Sequence, residues 1–344
     1  MPRFQEARVS WFLGRWESRF PGTWEPGFMG NHSSRGQGRP IRVCGLLGWG
    51  REWPGLCGGE GGWLVRSVAV TNAKGGVGKS TSAINLGAAM AELGRRVLLI
   101  DADPSGNAAL GFFARGAPGI GLADALLDSL RLEDVAVSTE YPGLDVVPPG
   151  DRLSLCSEQM GSTQGLGQGR EFRIRRLLKG LDGYDVVVVD TSPVLTPLNV
   201  AILYAVSEIL IPIDPCVAAL AGVRALEDLI RTVSEFRMEF TDAGPLSIAG
   251  VLVTRADRTL VSKQIESEVR AYFGPLVYDR VVPISVKFRE AYARGVPLIH
   301  YDRYCAGADA YREAASAYLG DARVAAKGEG VAEAEAESAG DVAA

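Results

Sequence analysis

Ten consecutive residues, Asn72-Ala-Lys-Gly-Gly-Val-Gly-Lys-Ser-Thr81, constrain the fold of this chain more than any other stretch. Their Gly-Gly-Val-Gly-Lys-Ser core follows the G-x-x-x-x-G-K-[ST] pattern, in which backbone N–H groups wrap a phosphate and one lysine grips it. Such a loop works only between a buried strand and the N-terminus of a helix, where amides and partial positive charge converge. Both flanks meet that demand. Ser67–Thr71 (Ser-Val-Ala-Val-Thr) reads as a buried parallel strand. Ser82–Leu93 carries apolar residues at helical spacing and stops at Gly94. Lys79 is the lysine the pattern requires, Ser80 offers a hydroxyl to Mg²⁺, and Lys74 is one lysine more than a phosphate needs.

The rest of the composition narrows the class. With 344 residues the chain can bury a core without disulfides. Five scattered cysteines (Cys44, Cys57, Cys156, Cys216, Cys305) contain no C-x-x-C, which speaks against a metal cluster and suits a reducing cytosol. A net charge of −5 excludes a globally basic nucleic-acid binder while leaving room for a local basic patch. No apolar run reaches the roughly 18 residues of a membrane span. His32 and His300 are isolated and read as surface residues.

Both ends differ from the middle. Residues 1–63 hold all six tryptophans, fourteen glycines and eight arginines, with no lysine and no periodicity. Gly, Arg and Trp share G-rich codons, so residues 1–64 are expected to be a disordered leader translated from upstream sequence, with the natural start near Val65. The rival reading, an arginine-rich nucleic-acid arm, is weakened by five acidic residues among the eight arginines. Residues 321–344, Ala/Glu-rich with six acidic and two basic residues, are expected to form a disordered acidic tail. One folded domain over 65–320 is left.

Within it, apolar runs alternate with helical patterns. Strands are expected at Arg96–Ile100, Leu144–Val147, Asp185–Val189, Ile209–Ile213, Ile248–Val253 and Leu276–Val282. Helices are expected at Gly169–Leu181, Leu198–Val206, Leu220–Arg237, Leu260–Phe273, Val286–Ala293 and Ala308–Leu319. The fold class is therefore α/β, P-loop NTPase-like: a mainly parallel twisted sheet with helices on both faces. Sites in such sheets lie at the carboxyl ends of the strands. There the chain places Asp101-Ala-Asp103-Pro-Ser-Gly-Asn107, two carboxylates suited to Mg²⁺ and water. Tyr184-Asp-Val-Val-Val-Val-Asp190 ends a buried strand in an acid, which would hold Mg²⁺ through a water. Val253-Thr-Arg-Ala-Asp257 has the outline of the N/T-K-x-D element that reads guanine in related GTPases. Arg255 replaces its lysine, which favours a turn bordering the base without selecting it.

Taken together these motifs resemble the deviant Walker A ATPases of the ParA/Soj/MinD group. Lys74–Thr81 is similar to their signature box, Asp101–Asn107 to D-x-D-P-Q-G-N, and Asp190-Thr-Ser-Pro193 to D-x-P-P. Asn85-Leu-Gly, Leu220-Ala-Gly-Val and Pro283-Ile-Ser-Val-Lys-Phe-Arg-Glu-Ala291, followed by Gly295-Val-Pro297, point to the partition ATPases. Similarity spans about Ser67 to Leu319. The resemblance implies nucleotide contacts from Lys74, Gly75, Gly76, Val77, Gly78, Lys79, Ser80, Thr81 and Pro283. It implies Mg²⁺ binding by Ser80 and Asp190, catalytic roles for Lys79 and Asp103, and a Lys74 that reaches into a partner's nucleotide. It also implies non-specific DNA binding through Arg258 and Lys287, with Lys263 and Arg289 nearby. Ser105, Ser192 and Ile284 depart from the usual Gln, Pro and Arg.

The activity so implied is slow, Mg-dependent ATP hydrolysis coupled to an ATP-dependent homodimer. That dimer would coat nucleoid DNA in the cytoplasm, away from membranes, and be released when a ParB-like centromere-binding protein stimulates hydrolysis. Its cargo is chromosome or plasmid. A MinD-like division-site regulator would need a basic amphipathic C-terminal helix, and the tail is acidic. A metabolic amide ligase would need further elements for its substrate.

Overall fold

The computed structural model describes residues 65–162, 169–216, 219–241 and 243–320, with backbone alone at residue 170 and at 219–225. The expected leader and acidic tail lie outside the described residues. Strand β1 (Arg66–Val70) feeds the loop, and α1 (Lys79–Glu92) leaves it. The chain continues through β2 (Val97–Ala102), α2 (Asn107–Leu110), α3 (Leu122–Leu127), α4 (Leu132–Val135), β3 (Val137–Ser138), β4 (Leu144–Val147), α5 (Leu153–Gly161), α6 (Arg173–Lys179) and β5 (Val186–Thr191). Then come α7 (Pro197–Ala205), β6 (Glu208–Ile213), α8 (Ala219–Phe240), β7 (Ser247–Val253), α9 (Leu260–Phe273), α10 (Lys287–Ala293), α11 (Leu298–Tyr301) and α12 (Ala306–Leu319).

Seven strands form one sheet in the order β3-β4-β2-β5-β1-β6-β7. Every pairing is parallel except β3 with β4. The inner strands are buried on both sides, which is why their sequences read as unbroken Val/Ile/Leu runs. On one face Val68, Val70, Leu99, Val186 and Val188 join a core with Leu86 and Met90 of α1 and Tyr311 of α12. The Tyr311 and Ser82 hydroxyls meet at 3.1 Å inside it. On the other face Ile100 and Val189 meet Leu122, Leu132, Ile174, Leu178 and Ile202 from the helices α3, α4, α6 and α7.

The strand order positions the site. In register, Val70 lies opposite Asp190, and Asp190 opposite Asp101. The carboxyl ends of β1, β5 and β2 are therefore neighbours, and the loop and both acidic motifs open onto one corner of the sheet.

Most expected elements occur within a few residues of their expected limits. Leu276–Val282 differs: residues Gly274–Leu276 form a 3₁₀ turn, and the stretch beyond it meets β7 through the isolated Val251–Val277 bridge and two N–H bonds, Tyr278 to the Val251 carbonyl at 3.0 Å and Val282 to the Val253 carbonyl at 2.8 Å, without forming a continuous strand. The cause lies in two side chains. The Tyr278 ring occupies the space beside Gly250, where a Cβ would come within 2.5 Å of it. Arg280 is drawn to α12, its Nε donating to Glu313 at 2.7 Å and its backbone N–H at 3.1 Å. The segment bows away from the ladder and returns at the Ala256–Pro283 bridge.

Candidate functional site

At the loop, Gly78 caps α1 with φ +86°, a left-handed conformation that an L-residue adopts at a cost. No side chain caps this N-terminus and no acid stands in its first turn, so its amides are left for an external anion. Asn72 fixes the entry: its Nδ2 donates to the Pro212 carbonyl at 2.8 Å, and its Oδ1 accepts from the Lys74 N–H at 2.9 Å. The Lys79 ammonium, buried, donates to the Lys74 carbonyl at 3.1 Å and so lies inside the curve of the loop. Burial lowers its pKa, opposed by Asp190 and Asp103.

Three acids face this corner in different ways. Asp101 is fully buried and has a partner on each oxygen, its carboxylate accepting the Asp103 N–H at 3.1 Å and the Ala109 N–H at 2.8 Å. It pins the acidic turn to α2. Burial pushes its pKa up to about 7. Asp103 is half-buried, and one of its oxygens accepts the Ser105 N–H at 2.9 Å. Asp190 is fully buried with neither carboxylate oxygen in a hydrogen bond of full geometry. Burial first, then the charge of Asp101, raises its pKa well above the carboxylate range, while the Ser80 hydroxyl works the other way.

An orphaned, fully buried carboxylate beside a serine hydroxyl fits a magnesium ion. Mg²⁺ takes hard oxygen donors, keeps several waters, and needs only one or two protein carboxylates once phosphate supplies the rest. Among the described residues no group of three or more His, Cys, Asp or Glu side chains forms an all-protein cage. Ser80 and Asp190 are the residues that would hold the ion.

The second loop lysine points elsewhere. Lys74 Nζ lies 3.3 Å from Asp214 Oδ2 and 2.7 Å from Cys216 Sγ, on the segment that follows β6. Burial pulls its pKa down, but the bonds to Cys216 and Asp214 outweigh that and leave it raised. Asp214 also has Arg255 Nε at 4.0 Å. Neighbouring Thr254, buried, donates its hydroxyl to the Val77 carbonyl at 2.7 Å, tying the end of β7 to the loop. Sequence reading passed over Asp214, Cys216 and the Thr254 bond; their place at strand ends was the available signal. Asp257, the acid of the guanine-like element, is spent locally, accepting the Thr259 N–H at 2.9 Å and hydroxyl at 2.6 Å.

The departures are accommodated. Ser192 donates its hydroxyl to the Val194 carbonyl, and Asn199 Nδ2 binds the Ser192 carbonyl and hydroxyl at 3.0 and 3.1 Å, so hydrogen bonds hold the turn that a proline would stiffen. Ser105 Oγ accepts from Asn107 Nδ2 at 2.8 Å. Pro283 lies at the bridge to Ala256, beside the Thr254 turn. That bridge brings Arg258 and the segment leading to Lys287 and Arg289 to one edge, and Lys263 follows on α9. Arg258, Lys263 and Arg289 are exposed; Lys287 is half-exposed with Glu290 at 3.5 Å. Ile284 is exposed among them. A hollow of about 540 Å³ lined by Arg175, Arg176, Lys179 and Thr241 lies by the C-terminal ends of α6 and α8, away from the loop.

Residues 65–241 match the AAA domain family. The chain is 40% identical over 252 residues to the chromosome partitioning protein ParA of Caulobacter vibrioides, covering 72% of this chain and 91% of that protein. It is 36% identical over 261 residues to the sporulation initiation inhibitor protein Soj of Bacillus subtilis, covering 73% and 97%. Among solved structures it resembles a cobyrinic acid a,c-diamide synthase from Mycobacterium smegmatis with bound ATP analog and magnesium, at TM-score 0.60 and 30% identity, over 74% of this chain and 94% of that one. The septum site-determining protein MinD of Pyrococcus horikoshii, complexed with Mg-ADP, shares the fold at TM-score 0.58 and 21% identity, over 73% and 95%. No helix among the described residues is long and apolar enough to cross a membrane. The loop, the acidic strand ends and these similarities over most of the chain converge: it belongs to the ParA/Soj family of chromosome-partitioning ATPases.

Proposed function

We propose that this chain is a Mg-dependent ATP hydrolase that works as an ATP-dependent homodimer in chromosome or plasmid partition. The dimer binds DNA without sequence preference and is released when a ParB-like partner stimulates hydrolysis. The observation that carries this reading is the divergence of the two loop lysines. Lys79 is buried inside the loop, while Lys74 reaches outward to the rim and is 38% exposed. In this reading one cation serves the chain's own phosphate and the other, partly exposed, serves a neighbour's.

The chemistry follows from positioning. The α1 amides and Lys79 hold the phosphates, with Thr81 at the α-phosphate and Pro283 beside the base. Asp103, half-buried at the mouth, orients the attacking water. Ser80 and Asp190 would hold a magnesium ion, which when bound would supply positive charge to the phosphates. A second cation supplied in trans by Lys74 adds electrostatic stabilisation where charge develops, and so makes dimerisation a condition of turnover. Intrinsic hydrolysis is slow in this reading, which leaves room for stimulation.

Arg258, Lys263, Lys287 and Arg289 are the DNA contacts in this reading. Among the described residues Arg258, Lys263 and Arg289 make no ion pair, whereas Arg96, Arg152, Arg270 and Arg280 do. The test is DNA binding with and without ATP for the wild type and for Lys74→Ala, titrated with salt. ATP-dependent binding that weakens steeply as salt rises, and that Lys74→Ala abolishes, is expected. ATP-independent binding, or a Lys74→Ala protein that behaves as wild type, overturns the proposal.

A further inference from the structure

Lys74 follows β1, and Asp214 and Cys216 follow β6, the strand paired with β1. The lysine therefore needs to reach across only one strand spacing to find an acid and a thiol on its own subunit. We propose that Asp214 and Cys216 are positioning residues for Lys74: they dock it in cis, so that it reaches a partner's nucleotide only after leaving them. This rests on the reading above, in which Lys74 acts in trans.

The contacts suit a reversible dock. Both members of the ion pair are partly exposed, Lys74 at 38% and Asp214 at 25%, so water can replace either partner and the pair is held weakly. Departure of Lys74 does not strand the carboxylate, because Arg255 stays beside it at 4.0 Å. The Arg255 backbone is held beside the carboxylate. It sits at φ +54°, between Thr254, bonded to the Val77 carbonyl, and Ala256, whose N–H donates to the Val282 carbonyl at 3.0 Å. The lysine's own backbone is held as well, its N–H on Asn72 and its carbonyl on Lys79. Only the side chain is free to swing. Two positions of one side chain, one in cis and one in trans, make a competition: whatever stabilises the first weakens dimer formation, by the square of the per-chain factor because each dimer releases two docks.

The experiment is sedimentation velocity on the full chain with Mg²⁺ and a non-hydrolysable ATP analogue, for the wild type, Asp214→Asn and Cys216→Ala, each with and without Lys74→Ala. Removing the dock should tighten the dimer about 2- to 25-fold in Asp214→Asn, the range expected when two partly exposed ion pairs are lost per dimer. Cys216→Ala should move the same way by less. In the Lys74→Ala background neither substitution should change the dimer constant, because a cycle isolates the coupling between the pair. Unchanged or weaker dimers in both variants, with a wild type that dimerises, overturn the dock and leave the dimer reading standing. A shift that persists without Lys74 overturns it too, since the effect would then not run through the lysine. A wild type that stays monomeric overturns the dimer reading itself, and the dock with it.

Discussion

The ends of β2 and β5 lie side by side in the sheet, and each carries a fully buried aspartate, yet their surroundings treat the two acids in opposite ways. Asp101 has two backbone N–H donors, from Asp103 and Ala109, and holds a turn in place. Asp190 has no full hydrogen bond, although a buried polar group without a partner costs stability. The contrast separates a structural acid from a ligand-seeking one on geometry alone. A carboxylate whose partners are supplied by its own chain is finished; one left empty beside a phosphate loop waits for something else to complete it.

The sharpest way to break this comparison is to neutralise each acid in turn. Asp190→Asn should cut Mg²⁺-dependent ATP hydrolysis by about 10- to 100-fold, the usual loss when an ion's outer partner is removed. It should also raise the melting temperature of the metal-free protein, because an unpaired buried charge is gone. Asp101→Asn should do the reverse to stability, lowering it by about 1–3 kcal/mol in urea melts by replacing an acceptor with a donor opposite an amide. If both substitutions destabilise the metal-free chain alike, the distinction between the two acids fails.

Next in size is a pH effect. Asp101 is pushed up to about 7 and Asp190 is also raised, so the folded chain binds protons that the unfolded chain has released above about pH 4. Stability from these groups is fully present below the ordinary carboxylate range and is lost as pH rises toward the folded values. The metal-free and nucleotide-free protein should therefore melt at lower temperature at pH 8 than at pH 5. Mg²⁺ with ATP should flatten that fall, and Asp190→Asn should shrink it. A fall of the same size in Asp190→Asn would assign the pH dependence to other groups.

The smallest expected effect sharpens the contrast from the next residue. Thr191 Oγ1 donates to the Val70 carbonyl at 2.9 Å in the interior, so its hydroxyl is already used. Thr191→Val should cost about 1 kcal/mol of stability and leave Mg²⁺ dependence unchanged. A loss of Mg²⁺ affinity would mean that this threonine, too, belongs to the ion's surroundings.

How far the sequence could be read depended on whether an interaction is local. The inner strands announce themselves because burial on both faces demands unbroken apolar runs, and the loop because its chemistry is contiguous. Helices of four residues, such as α2 and α11, are too short to show a period. Leu276–Val282 has strand composition, but its middle is diverted where Arg280 bonds to Glu313 of α12, so only its two ends reach β7. At the site, the loop and both acids were legible as motifs. The difference between Asp101 and Asp190 was not, since it depends on which amides a turn happens to aim at a side chain. The docking of Lys74 was hidden for another reason: Asp214 stands 140 residues away and becomes a neighbour only through the strand order.

The Thr254 hydroxyl on the Val77 carbonyl is one hydrogen bond, but it works as a strut. From Thr254 the backbone runs through Arg255 to Ala256, whose N–H holds Val282 and whose carbonyl accepts the Ile284 N–H at 3.0 Å. The floor of the phosphate loop and the surface turn that leads to Lys287 are thus joined by three hydrogen bonds. The phosphate loop and the outer turn therefore share one run of hydrogen-bonded backbone, and neither can be repositioned without breaking or carrying those bonds.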